Sequence, residues 1–169
     1  MAPNNQVFVG SDATLTLAVE DSPEGKEAKE VIDLYVLSPV GRARNVRVRV
    51  HTDLVPFHEI GKRHPRSLHA GNITVDGTID RAYINGALVR LLLGKGALVT
   101  RTNEPYAAPS LNLMLDLTDP STPGNSSTLT VHGVKFDNWS FELPEDDFVM
   151  ESVTFQGLFI TVEDKVASA

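Results

Sequence analysis

Apolar and polar residues alternate along most of this chain, and that period of two limits the possible folds more than any other feature. Thr14-Leu15-Thr16-Leu17-Ala18-Val19 alternates and reads as a short strand. Val46, Val48 and Val50 alternate with Arg47 and Arg49, which predicts a half-buried strand with a basic outer face. Ile73, Val75 and Ile79 fall on one face of a third run, with Asn72, Thr74 and Asp76 on the other. Leu111, Leu113, Leu115 and Leu117 form a fourth. Two longer regions follow, Thr128 to Leu143 and Phe148 to Val162. In the first, the inward set slips from Leu129 and Val131 to Val134 and Phe136 across Gly133, then to Trp139, Phe141 and Leu143. Slips of that kind predict β-bulges or bends. The expected fold is mainly β, with roughly five to seven antiparallel strands.

One stretch breaks the rhythm. From Asp80 the apolar residues recur every three or four positions, and Ile84, Ala87, Leu88, Leu91 and Leu92 make a helical stripe. Arg81, Asn85 and Arg90 stay outside it. This predicts one firm flanking helix over about residues 80–93, with Asp80 at its N-terminus and Gly94 as its stop. Its apolar stripe is expected to pack on Ile73, Val75 and Ile79. Upstream, Ser22-Pro23 resembles a helix start, and Ala28, Val31, Ile32 and Tyr35 continue it. Val31 to Leu37 is also β-branched enough for a strand, so both readings stand.

Ser38-Pro39-Val40-Gly41 predicts a turn, and Asp119 to Ser127 a loop. Pro56 interrupts the strand begun at Val46, so its far end is an edge or a projecting arm, and His58 to His69 reads as loop. At 169 residues the chain suits one domain, with residues 1–30 its least constrained part. A chain of this length buries roughly 70% of its unfolded surface, so it needs neither metal nor disulfide to fold. It has no cysteine, which removes thiol catalysis and cysteine-ligated zinc. The opening MAPNNQVFVG lacks the features of a secretory signal, and the apolar run Ala87 to Leu93 is too short to cross a bilayer. No membrane association is expected.

Chemistry is sparse. Gly94-Lys95-Gly96 looks like a phosphate loop, but its glycines follow the helix, where the dipole is negative. His58, His64 and His69 match no metal-ligand spacing. No nucleophile elbow is present, and no cofactor, metal or catalytic residue is expected. Glu145-Asp146-Asp147 beside Pro144 lacks the alternating ligands of a calcium loop and reads as a hairpin tip or a surface that carries negative charge. Arg42, Arg44, Arg47 and Arg49 form a basic stripe that fits acidic residues of a neighbouring chain, plain solvation or, ranked third, nucleic acid. The net charge of −7 argues against a surface built to grip nucleic acid.

The run Glu59-Ile60-Gly61-Lys62-Arg63-His64-Pro65, then Gly71, then Val75-Asp76-Gly77-Thr78-Ile79-Asp80-Arg81-Ala82, resembles phage tail tube proteins. So does Gly133-Val134-Lys135-Phe136-Asp137-Asn138-Trp139-Ser140-Phe141-Glu142-Leu143-Pro144, continued by Asp147 to Phe155. The likeness covers about residues 31 to 163, leans toward contractile tails, and extends to the tubes of contractile injection and type VI secretion systems. It implies a β-sandwich or barrel-like protomer with a flanking helix and no active site. It further implies hexameric rings stacked into a hollow tube in the virion, made in the host cytoplasm. Sheath, baseplate and tail terminator proteins are the implied partners, and DNA passes the lumen without specific binding.

Within that picture the strand edges with Arg47 and Arg49 are candidates for the contact inside a ring. The arm at Pro56 and the tip at Glu145, Asp146 and Asp147 are candidates for the contact between rings. The competing readings are a monomeric β-sandwich that binds an acidic ligand through Arg42 to Arg49, and the inner tube of a bacterial contractile injection system. An enzyme is disfavoured.

Overall fold

The computed structural model describes residues 7–37, 40–41, 43–97, 107–121 and 124–165. Arg42, Ser38-Pro39 of the expected turn and Thr122-Pro123 of the expected loop lie outside them. Seven strands and two α-helices follow in the order β1 (Ala13–Val19), α1 (Pro23–Tyr35), β2 (Ala43–Phe57), β3 (Ser67–Ala82), α2 (Ala87–Leu93), β4 (Leu111–Thr118), β5 (Ser126–Glu142), β6 (Met150–Gly157) and β7 (Phe159–Lys165). All pairings are antiparallel, in the order β1-β4-β5-β6-β3-β2, with β7 also on β5.

The long strand β5 belongs to two half-sheets. Its first part pairs β4 on one side and β7 on the other; its second part, from Lys135, pairs β6. The change falls where the sequence slips. Gly133 sits at φ +61°, a conformation side chains resist, with the Leu158 side chain where a Cβ would go. A register shift follows between Phe136 and Asn138. The expected bulges are there, and they let one strand face two ways.

A single core lies between these layers. Leu15 and Leu17 of β1, Leu111 and Leu113 of β4, Val131, Val134 and Phe136 of β5, and Val153 and Phe155 of β6 are all buried. Val75 and Ile79 of β3 join them, as do Leu88 and Leu91 of α2, which packs mainly on β5 and α1 rather than on β3 as expected. Gly77 is the contact that allows this packing: the Phe155 ring and the Arg47 carbonyl occupy the space a methyl would need.

Two expectations about helices need correction. The described residues form two α-helices rather than one, and the N-terminal alternative at Val31 resolves as helix. Ser22 Oγ accepts a hydrogen bond from the Gly25 amide at 2.9 Å, and Ala28, Val31 and Ile32 face the core. The second helix is shorter than residues 80–93, because β3 runs to Ala82 and the helix starts at Ala87. Tertiary pairing outweighs the local signal here: Asp80 is bonded sideways to Asn45 and Ser152, and the Tyr83 amide to the Val149 carbonyl. Ile84 therefore lies before the helix, half exposed. Ile73 also leaves the core, since β6 pairs β3 only as far as Val75. Gly94 does stop α2, at φ +55°, and a short 3-10 turn follows to Ala97.

The expected loop from His58 to His69 is shorter, as β3 begins at Ser67. The region from Phe148 to Val162 is two strands, broken at Leu158, whose amide bonds back to the His132 carbonyl at 2.8 Å.

Candidate assembly surfaces

The half-sheet β2-β3-β6-β5 has one face on the core and one face outside. Register assigns the outer face: Asn45, Arg47 and Arg49 of β2 lie beside Asp80, Thr78 and Asp76 of β3. Those in turn lie beside Ser152, Thr154 and Gln156 of β6. Ser140 and Asn138 of β5 continue the rows. Every one of these side chains is polar, so a whole face of a four-stranded sheet presents hydrogen-bonding groups.

Their charges are largely settled inside the chain. Arg49 grips Asp76 with both Nε and Nη2, at 3.0 and 2.8 Å. That hydrogen bond, then the attraction of the carboxylate, raises the Arg49 pKa. Asp80 accepts from Asn45 and Ser152 at 3.2 and 2.6 Å. Asp137, in the bulge, accepts from Thr154 and Gln156, and chiefly the Thr154 hydroxyl holds its carboxyl below the ordinary carboxylate range. Arg47 stands opposite Thr78, exposed and without a charged partner among the described residues. Of the expected stripe, then, Arg49 is committed within the protomer, Arg47 is available, and Arg44 lies at the β2 end in an irregular step of the ladder.

Among the described residues both borders of this half-sheet are open: β2 pairs only with β3, and β5 from Lys135 to Glu142 pairs only with β6. Unpaired borders of that length invite another chain.

The remaining candidates sit at opposite ends. Pro56 lies in β2 opposite Leu68 of β3, in a two-stranded ribbon that continues past the last β6 pairing at Val75. The predicted arm is there. Glu145, Asp146 and Asp147 lie exposed in the connection between β5 and β6, the predicted hairpin tip. Lys95 pairs with Glu27 of α1 at 2.9 Å, and that hydrogen bond, then the attraction of the carboxylate, raises its pKa. No group of three or more His, Cys, Asp or Glu side chains is placed to hold a metal among the described residues, and no described helix is long and apolar enough to cross a membrane.

Sequence reasoning placed Arg81 outside a helix stripe; the structure buries it completely, with its Nε 2.5 Å from Glu151 Oε1. Trp139 Nε1 donates to the other Glu151 oxygen at 2.9 Å. Arg81 Nη2 reaches Asn85 Oδ1 at 3.4 Å, and that oxygen also accepts from the Ala87 amide at 3.2 Å. One buried chain of polar contacts thus ties β5, β6 and β3 to the first turn of α2. A signal existed: Arg81 shares the inward register of Val75 and Ile79, and Glu151 that of Val153 and Phe155. Opposite charges on two inward registers point to each other.

No family model and no curated protein matches the chain. Solved structures do. A chain of the sheath-tube complex of the extracellular contractile injection system PVC, in its extended state, superposes with a TM-score of 0.61 at 10% identity, over 95% of this chain and 93% of that one. The tube terminating cap of the anti-feeding prophage gives 0.63 at 9%, over 97% and 95%. The SPP1 tail tube gives 0.59 at 10%, over 95% and 81%. This chain has the tail tube fold. Identity this low carries the likeness through backbone architecture alone, and the tail tube fold accounts for the two half-sheets, the shared strand and the flanking helices together.

Proposed function

We propose that this chain is the subunit of a tail tube, a structural protein that closes into rings and stacks them around a bore. The observation that carries this reading is the half-sheet β2-β3-β6-β5, polar on its outer face and open along both borders. Pairing the β2 border of one copy with the β5 border of the next is a heterologous contact, and such a contact makes a ring when its rotation closes. Six copies are expected. The tail of a gene transfer agent particle refined with C6 symmetry is among the similar structures, at a TM-score of 0.51 and 9% identity.

In that ring the polar face lines the bore. Arg47 and Arg49 face Asp76, Asp80 and Asp137 there, and four of these five charges are engaged in lateral hydrogen bonds, Arg47 being the exception. Phosphates therefore meet a hydrogen-bonded wall with a small excess of negative charge rather than a basic groove, which suits passage of DNA without capture. The core-side helices lie outward, where sheath, terminator and baseplate proteins would meet the tube. Location in a virion-type tail follows, with synthesis in the host cytoplasm.

The chain's lack of cysteine gives a direct test. Single cysteines placed at Arg47 in β2 and at Asn138 or Ser140 in β5, combined in one chain, should cross-link copies on oxidation. A ladder ending at six, with rings in negative-stain micrographs, is the expected result. A protein that stays monomeric at high concentration and never cross-links would sink the reading. It would favour the ligand-binding sandwich instead.

A further inference from the structure

The arm is a peculiar object for a chain that covers its own core so fully. Beyond Val75 it runs as two strands alone, and residues 67–74 at about 3.3 Å each carry it roughly 25 Å past the β6 pairing. Leu54, Val55, Phe57, Ile60, Leu68 and Ile73 are each more than half exposed on it. Pairs directly opposite in register share a face, so Leu54, Pro56 and Leu68 lie on one side and Val55 and Phe57 on the other. A two-stranded ribbon is marginal in water, and one apolar on both sides is more so.

The other end of the half-sheet carries the matching chemistry. Tyr83, Phe141, Leu143 and Phe148 are exposed there, Tyr83 edge-on to Phe141 at 5.1 Å between ring centres. A depression of about 400 Å³ is lined by Arg44, Ala82, Asp147, Phe148 and Met150. Around it stand Glu142, Glu145, Asp146 and Asp147, with Arg44 as the described cation among them. The arm's charges have the opposite sign. Glu59 is taken by Arg66 at 2.6 Å and Asp53 faces His51 at 3.3 Å, while Lys62 and Arg63 have no partner among the described residues.

Four of the chain's five histidines, His51, His58, His64 and His69, also lie on the arm, all exposed. His69 meets the Ser67 hydroxyl at 3.0 Å, and His58 and His64 meet no carboxylate among the described residues. Among the described residues no third strand pairs with the arm beyond Val75. Near its base β3 touches β7, whose charged residues Glu163, Asp164 and Lys165 are paired along Thr128, Ser127 and Ser126 of β5.

We propose that the arm of one copy docks on the acidic, aromatic end of a copy in the next ring, and that protonation of its histidines tightens this joint. The inference rests on the tube reading above and names the partner and the control of its stacking contact. Apolar surface supplies the contact, Lys62 and Arg63 its polarity, and His58, His64 and His69 its sensitivity to pH. Histidine is the side chain whose charge ordinarily changes between pH 5 and 8. The docked state sets these imidazoles beside carboxylates and so binds more protons than the free one. Lowering pH from 8 to 6 therefore favours stacking. Each surface pair contributes little, but six joints per ring act together.

The test measures the concentration at which tubes appear, by sedimentation and negative-stain microscopy, at pH 8 and pH 6. Wild-type protein should need roughly tenfold less protein at pH 6. The variant His58→Gln, His64→Gln, His69→Gln should still stack and lose that response. Glu145→Lys with Asp146→Lys should give rings that do not stack at either pH. Wild-type tubes that grow alike at both pH values, or a triple glutamine variant that keeps the response, overturn the proposal and leave the tube reading intact. Protein that forms no ring at either pH overturns both.

Discussion

The junction of β3, β6 and α2 and the arm made by β2 and β3 differ as a finished surface differs from an unfinished one. At the junction the buried charges are paired. Arg81 and Glu151 are 1% exposed, and Trp139, Asn85 and the first amide of α2 share their remaining bonds. On the arm, less than 20 residues away along β3, large apolar groups stand in solvent and the pairing strand β6 has ended. The same strand serves both. A protein that must exist first as a soluble protomer and then as one of many copies can divide its residues this way. It completes alone what must fold alone, and it leaves open what only copies can cover.

The sharpest way to break that contrast is at the buried pair. Glu151→Ala strands the Arg81 guanidinium in the core and leaves the Trp139 indole without its acceptor, which should cost about 3–5 kcal/mol in urea unfolding. The paired change Arg81→Met with Glu151→Leu should recover most of that, since neither charge is then buried alone. If the single change proves harmless, the junction is wetter than its geometry indicates and the contrast with the arm weakens.

Next in size is the packing under the helix. Leu88→Ala should cost about 2–5 kcal/mol, because Leu88 is 1% exposed and its neighbours cannot close the space. Leu88→Asp should abolish folding and assembly together. On the arm, Leu68→Ala should change protomer stability by no more than about 0.5 kcal/mol, as Leu68 is 60% exposed. A large loss at Leu68 would mean that the arm folds back on its own protomer.

Those differences explain what was legible in the sequence. Alternation found the strands, because a sheet with one dry face must alternate, and the slip at Gly133 marked where β5 changes partners. Pro56 betrayed the arm, since proline belongs on strand edges, and Pro144 with its acidic neighbours the tip, where the pairing of β5 with β6 stops. What alternation could not locate was the boundary set by tertiary bonds. Asp80 has the chemistry of a helix start, yet Asn45 and Ser152 hold it in the strand. Nor could local periodicity separate Ile73 from Val75, which differ only in whether β6 reaches them. The site was legible as a set of ends and borders, while the settling of Arg49 by Asp76 appeared only once β2 and β3 were aligned.

The smallest effect lies on the polar face, midway between the two regions. Asp137 is held below the ordinary carboxylate range, mainly by the Thr154 hydroxyl and further by Gln156. A carboxyl with a depressed folded pKa binds its proton more readily in the unfolded chain. Its contribution is therefore present above the unfolded value near pH 4 and is lost as pH falls through the folded one. Asp137 is exposed, so solvent screening keeps the contribution slight. Comparing urea midpoints of wild-type protein and Asp137→Asn at pH 6 and pH 3 isolates it. The wild type should lose slightly more stability between these values than the variant does. An equal loss would mean that Thr154 and Gln156 orient this carboxylate without stabilising its charge, and that the bulge is held by backbone pairing alone.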